Sequence, residues 1–234
     1  MNFKAIAAAL LALVSAASAA SAATPAHNGA DPGEWTMDFD AAKALASETG
    51  RPILLNFTGS DWCGWCIQMD RRVFSRDAWK EHAKDHLVLV WIDFPRNKSL
   101  VPEQFVSRNG QLAREYGVEG YPTYVLLDSD GQTVLGRAGA SADASPDSFI
   151  RDLETIRLTS PKYVEALRAK LSPVQRAELD SAGKTLEETR KKLADWIQTG
   201  PVRNDANTAL FDGMRGEIDR AEAAYLLLLK STAP

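Results

Sequence analysis

The tightest constraint on how this chain can fold is Trp62-Cys63-Gly64-Trp65-Cys66 together with what flanks it. Immediately upstream, Pro52-Ile53-Leu54-Leu55-Asn56-Phe57 is an apolar run of strand length; downstream, Cys66, Met69 and Val73 fall on one face of a helix. The motif therefore sits at a strand-to-helix turn. At such a turn the first cysteine lies near the helix N-terminus, where unsatisfied backbone N–H groups and the helix dipole favour a thiolate over a thiol. Cys63 is thus expected to be the reactive, solvent-open sulfur, and Cys66, flanked by Ile67 and Met69, the more buried resolving one. These two are the only cysteines in 234 residues.

A chain that is 45% apolar and 25% charged has the make-up of a globular protein of one large or two small domains. Its formal charge of −4 offers no basic surface for nucleic acid or an anionic membrane. Residues 1–23 read as a secretory signal peptide: Lys4 supplies a positive start, residues 6–14 an apolar stretch, and 17–23 small-residue cleavage options. That apolar stretch is far shorter than the roughly 20 residues a membrane span needs, and no later segment is a stable span. The expected location is periplasmic or secreted, where disulfides persist.

Residues 24–34 read as a polar, turn-rich linker. A first helix is predicted from Asp38, with Phe39, Ala42 and Ala46 at helical intervals and Gly50 ending it. After the motif, 75–86 is predicted as a helix capped by Ser75 and carrying Trp79 and Ala83 on one face, and 87–93 as a strand covered on both faces. Residues 94–108 show no clear period and contain two prolines, so they read as an irregular insertion, followed by a short helix at 111–116 ended by Gly117. Residues 123–127 and 133–137 are two strands joined across an Asp-Gly turn, a hairpin signal. Ser145-Pro146-Asp147 opens a helix running to about residue 158.

From residue 160 on there are no strand patterns. A helix is predicted at 163–171. Leu179, Leu186 and Leu193 then recur every seven residues, and Phe211, Met214, Ile218, Ala221, Tyr225 and Leu228 form a heptad seam; Thr199-Gly200-Pro201 breaks between them. The simplest arrangement is an antiparallel helical hairpin. Its roles could be an intrachain lid, a homodimer through the C-terminal helices, or a docking surface.

A C-x-x-C pair serves metal sites, structural staples and redox centres alike. Here it follows a buried strand, opens a helix, and is joined downstream by Gly120-Tyr121-Pro122-Thr123 directly before another strand. These pieces, with the Asp128-Ser129-Asp130-Gly131 hairpin, resemble the thioredoxin superfamily over residues 35–158; the helical tail at 159–234 is not covered. The resemblance implies an α/β fold, a thioredoxin-like central mixed sheet flanked by helices, to which the tail adds a C-terminal all-helical extension. It implies a cis Pro122 facing the cysteines, with Tyr121 and Thr123 beside a groove where an extended substrate chain adds as a strand. It also implies thiol–disulfide exchange with protein substrates by Cys63 and Cys66, no cofactor beyond that redox-active pair, and a redox partner that recycles it. Trp62 and Trp65 read as a shield for the thiols and a platform for substrate.

The chain departs from the family pattern in two places. Asn56 stands where a buried aspartate assists the resolving thiol, and asparagine cannot act as that base; Asp61, nearby, reads as the N-cap of the redox helix. Gly64-Trp65 replaces the Gly-Pro of the reductases, which leaves the direction of electron flow open, with the Trp-Cys-Gly opening favouring reduction. Three competing readings stand beside this one. Cys63, Cys66, His82 and His86 have zinc-finger spacing, although the residues between the pairs read as helix rather than hairpin. A purely structural disulfide over so small a loop would remove little unfolded-state entropy, roughly 2 kcal/mol. A non-catalytic binding module would hold a partner through the Pro122 groove and the helical tail.

Overall fold

The computed structural model of the protein describes residues 25–231; the leader expected at 1–23 lies outside them. Among the described residues, five strands form one sheet: β1 (Trp35–Thr36), β2 (Ile53–Thr58), β3 (Val88–Asp93), β4 (Thr123–Leu127) and β5 (Val134–Ala138), in the order β1-β3-β2-β4-β5. β3 runs parallel to β1 and β2, whereas β4 is antiparallel to β2 and to β5, so the sheet is mixed. The central strands are apolar on both faces because both faces are covered. On β2, Leu54 joins Met69, Val73, Phe74, Trp79 and Phe149 in one core. Ile53, Leu55 and Phe57 point the other way, into a second core with Phe39, Ala46, Leu112 and Tyr116.

The helices that supply those residues are α1 (Phe39–Thr49), α2 (Gly64–Met69), α3 (Asp77–His86), α4 (Glu103–Glu115) and α5 (Pro146–Thr159). α1 starts on Asp38, whose carboxylate accepts from Ala41 N–H, and stops at Gly50 in the left-handed region. α2 passes into a π-helical turn at Asp70–Phe74 that places Phe74 between four aromatic rings, Trp35, Trp79, Tyr124 and Phe149, at centroid distances of 5.2 to 5.6 Å.

Three expectations are corrected, and one strand was not foreseen. Residues 25–34 are no free linker: Ala26 bridges Thr36 beside β1, and the Thr36 hydroxyl donates to Gly29 O. β1 itself, two residues long, carries too little sequence for an alternation to show. Ser75 does not cap α3; its hydroxyl donates back to Arg71 O, and the helix begins after Arg76. α4 starts at Glu103, far earlier than 111, directly after Pro102. Its inward row is Phe105, Asn109 and Leu112, and the polar middle member hides the helical period; Asn109 Nδ2 donates to Asp93 O.

The tail comprises α6 (Pro161–Arg168), α7 (Pro173–Gln198) and α8 (Asp205–Ser231). Ser172 and Gln175 form a capping box at the start of α7, with Pro173 in the first turn. α7 and α8 run antiparallel, as the cross-pairs Arg190–Glu222 and Lys192–Glu217 show. Their two seams face each other: Leu179, Leu186 and Leu193 are buried together with Met214 and Leu229. The base of the hairpin packs on α5, where Leu158 clusters with Leu167, Leu171, Leu179 and Leu229 and Lys230 pairs with Glu154 at 3.0 Å. Among the described residues no helix is long and apolar enough to cross a membrane.

Candidate active site

β2 ends at Thr58, and the turn 59–62 delivers Cys63 to the head of α2. Cys63 has extended backbone geometry and is itself the N-cap: its Sγ accepts from Cys66 N–H at 3.2 Å, the place a capping oxygen would occupy. The two cysteines form a disulfide, with Cα atoms 5.2 Å apart. The expected contrast in exposure is absent: Cys63 is 6% exposed and Cys66 5%. Cys63 is covered because its Sγ lies 3.5 Å from the carbonyl oxygen of Tyr121, on the loop that crosses in front of it. The asymmetry between the sulfurs is positional, one at the helix cap and one inside the first turn. Upon reduction, a Cys63 thiolate would receive the N–H bond and the positive end of the helix.

The Tyr121–Pro122 peptide is cis. Thr123 follows it with its hydroxyl donating to Gly120 O, which closes the turn into β4, so that hydroxyl serves the loop's own shape. Trp62 and Trp65 are 39% and 49% exposed and flank the disulfide. Trp62 is fixed rather than loose: its Nε1–H donates to Phe94 O at 2.8 Å, and its ring meets Tyr121 edge-on at 5.8 Å. A Cβ on Gly59 would come within 2.5 Å of the Trp62 indole, so the turn needs glycine there.

Asp61 is not the helix cap. Its carboxylate accepts from Arg96 N–H at 2.9 Å and Asn97 N–H at 2.8 Å, and these bonds, Asn97 first, hold its pKa below the usual carboxylate value. Asp93, at the end of β3, makes a second tie: one carboxylate oxygen accepts from Ser60 N–H at 2.9 Å, the other from the Ser60 hydroxyl at 2.5 Å. Burial raises the Asp93 pKa against those hydrogen bonds. The segment after β3 is therefore laced to the redox turn through Asp61, Asp93 and Trp62. Sequence reading missed this, since nothing local joins residues 32 to 36 positions apart.

Asn56 is buried on the β2 face shared with Leu54, toward α2, and its Oδ1 has no hydrogen-bond partner. Asp70, four residues after Cys66, is half-buried, and burial raises its pKa against Arg71 and Lys80. The i,i+4 spacing from Cys66 was visible in the sequence and is the one signal that could have flagged it. His82 and His86 stack on each other with ring centroids 4.5 Å apart and line a cleft of about 670 Å³ with Gly50, Arg51 and Pro52. That is the opposite end of β2 from the cysteines, roughly 20 Å away for a strand of this length. The zinc-finger spacing therefore does not converge on one site.

The chain resembles proteins of related chemistry. Disulfide bond reductase DsbH of Chlamydia pneumoniae is 42% identical over 100 residues, 42% of this chain and 59% of that protein. Thioredoxin-related protein DsbJ of the same organism is 23% identical over 145 residues, 61% of this chain and 41% of that protein. The chain thus spans 59% and 41% of the lengths of these two curated relatives. A solved structure of a DsbH oxidoreductase aligns with a TM-score of 0.50 at 30% identity, covering 56% of this chain and 88% of that one. Residues 39–156, just over half of the chain, match the thioredoxin-like domain family, and with its mixed sheet and its paired cysteines at the head of α2 the chain belongs to that family.

Proposed function

We propose that the protein is an extracytoplasmic thiol–disulfide oxidoreductase that reduces protein disulfides through Cys63 and Cys66, with residues 35–158 as the redox unit and 159–234 as a helical extension. The observation that carries this reading is the placement of Cys63 Sγ. It caps α2, accepts from Cys66 N–H, and lies against the Tyr121 carbonyl between two exposed indoles. In the reduced protein the Cys63 thiolate attacks one sulfur of a substrate disulfide. A Cys63–substrate bond forms, the substrate bond breaks, and the departing thiolate takes a proton from water. Cys66, once deprotonated, attacks the Cys63 sulfur and closes the Cys63–Cys66 bond, releasing the second substrate thiol. Two electrons pass from the dithiol to the substrate, and a separate redox partner restores them. Run backwards, the same steps oxidise a dithiol.

The reducing direction draws support from the relative that is named a disulfide bond reductase and from the Trp-Cys-Gly opening. The signal-like residues 1–23 support export. On this reading Trp62, Trp65, Tyr121, Pro122 and Thr123 flank the substrate chain, the last through the shape of its turn. No cofactor enters these steps. A homodimer through the C-terminal helices would use their outer faces, because the seams face each other within the chain.

Insulin reduction by dithiothreitol tests the reading. The protein is expected to accelerate precipitation of the insulin B chain, Cys63→Ser to abolish the effect, and Cys66→Ser to accumulate a mixed disulfide at Cys63. Equal rates with and without Cys63 would overturn catalysis and leave a binding module as the better account.

A further inference from the structure

Arg96 stands at the rim of this site with a charge that nothing in the exchange steps uses. Its backbone N–H is held by Asp61, and its guanidinium lies over the Trp62 ring, 5.7 Å from the centroid. Trp62, which adjoins Cys63 in sequence, is in turn anchored to Phe94 O. The side chain is exposed, and the ion pairs among the described residues all lie elsewhere. The charged groups around it are few. The Asp61 carboxylate is held below its usual pKa first by the backbone N–H groups of Asn97 and Arg96 and least by the Arg96 charge, and Lys98 turns its ammonium back onto Pro95 O. An exposed guanidinium over an indole face can still present its N–H donors to a carboxylate in two parallel hydrogen bonds.

We propose that Arg96, over the Trp62 ring, selects protein substrates that carry an aspartate or glutamate close in sequence to the cystine to be reduced. This rests on the exchange reading of Cys63 and names a substrate class for it. The chain's net charge of −4 would by itself favour basic substrates. A preference for acidic ones therefore needs a local cation, and Arg96 lies over Trp62, the neighbour of Cys63 in sequence.

The test is single-turnover oxidation of the reduced full-length protein by three cystine peptides that differ only in flanking residues, acidic, neutral or lysine, followed by tryptophan fluorescence at low salt. The wild type is expected to react about two- to five-fold faster with the acidic than with the lysine peptide, the range of an exposed ion pair. Arg96→Glu is expected to invert that ratio, Arg96→Lys to keep its direction, and both to leave the neutral peptide within about two-fold. Added salt should shrink the ratio. A ratio unchanged in Arg96→Glu overturns the role of Arg96 and leaves the exchange reading standing. No reaction of the wild type with any peptide overturns both.

Discussion

Asp93 lies at the junction of β3 and the redox turn, and its behaviour with pH can be worked out. Burial raises its folded pKa above the ordinary 3.8, so the stability it contributes is present in full below that value and is lost as pH rises through the raised pKa. In urea unfolding the wild type is expected to lose stability relative to Asp93→Asn, which has no proton to release, as pH rises above about 4. Asp93→Ala also strips Ser60 N–H of its acceptor and is expected to cost about 1–3 kcal/mol across the range. A wild type and Asp93→Asn of identical pH dependence would refute the account. Asn56 is the converse case: a buried oxygen with no partner. Asn56→Val, which removes the unpartnered oxygen with a much smaller change in side-chain volume than leucine would bring, is expected to raise stability by roughly 1 kcal/mol in the same assay. A loss would mean that Oδ1 has a partner in solution.

At the scale of elements, helices whose inward residues are all apolar were readable, and the one with a polar inward residue was not. α1 and α5 follow their period and caps and α7 and α8 their heptads, whereas α4 turns Asn109 inward, and only its stretch from residue 111 on was legible. β4 and β5 followed from the Asp-Gly turn between them. The hairpin's seams are closed inside the chain, which makes its core separable from the chemistry. Leu186→Ala, deep between α7 and α8, is expected to cost about 2–4 kcal/mol in denaturant unfolding while leaving the rate of insulin reduction within two-fold of wild type. A parallel fall in rate would show that the hairpin communicates with Cys63.

For the whole molecule, the direction of electron flow is a stability difference between two covalent states. A disulfide that is hard to reduce belongs to a protein whose oxidised form is the more stable, and a strong oxidant has the opposite order. Calorimetry is therefore expected to give a higher Tm for the oxidised protein than for the same protein held in excess reductant. The reverse order would make the protein an oxidant. Attachment of the hairpin depends on Leu158, Leu167 and Leu229, with the exposed Lys230–Glu154 pair adding little. A Lys230→Ala, Glu154→Ala double-mutant cycle is expected to return less than about 1 kcal/mol of coupling.

The sequence by itself determined that the paired cysteines stand at a strand-to-helix turn, because a strand, a two-residue gap between cysteines and a helix are written in consecutive residues. It determined the mixed α/β core and the helical tail for the same reason: period and caps are local. Only the tertiary structure decided that Cys63 is as covered as Cys66, that Asp61 grips Arg96 and Asn97 instead of capping α2, and that the two heptad seams close on each other. Each of these depends on which distant segment arrives beside a given residue. That outcome is set by burial and hydrogen bonding summed over the folded chain, and it leaves no mark in the neighbouring sequence.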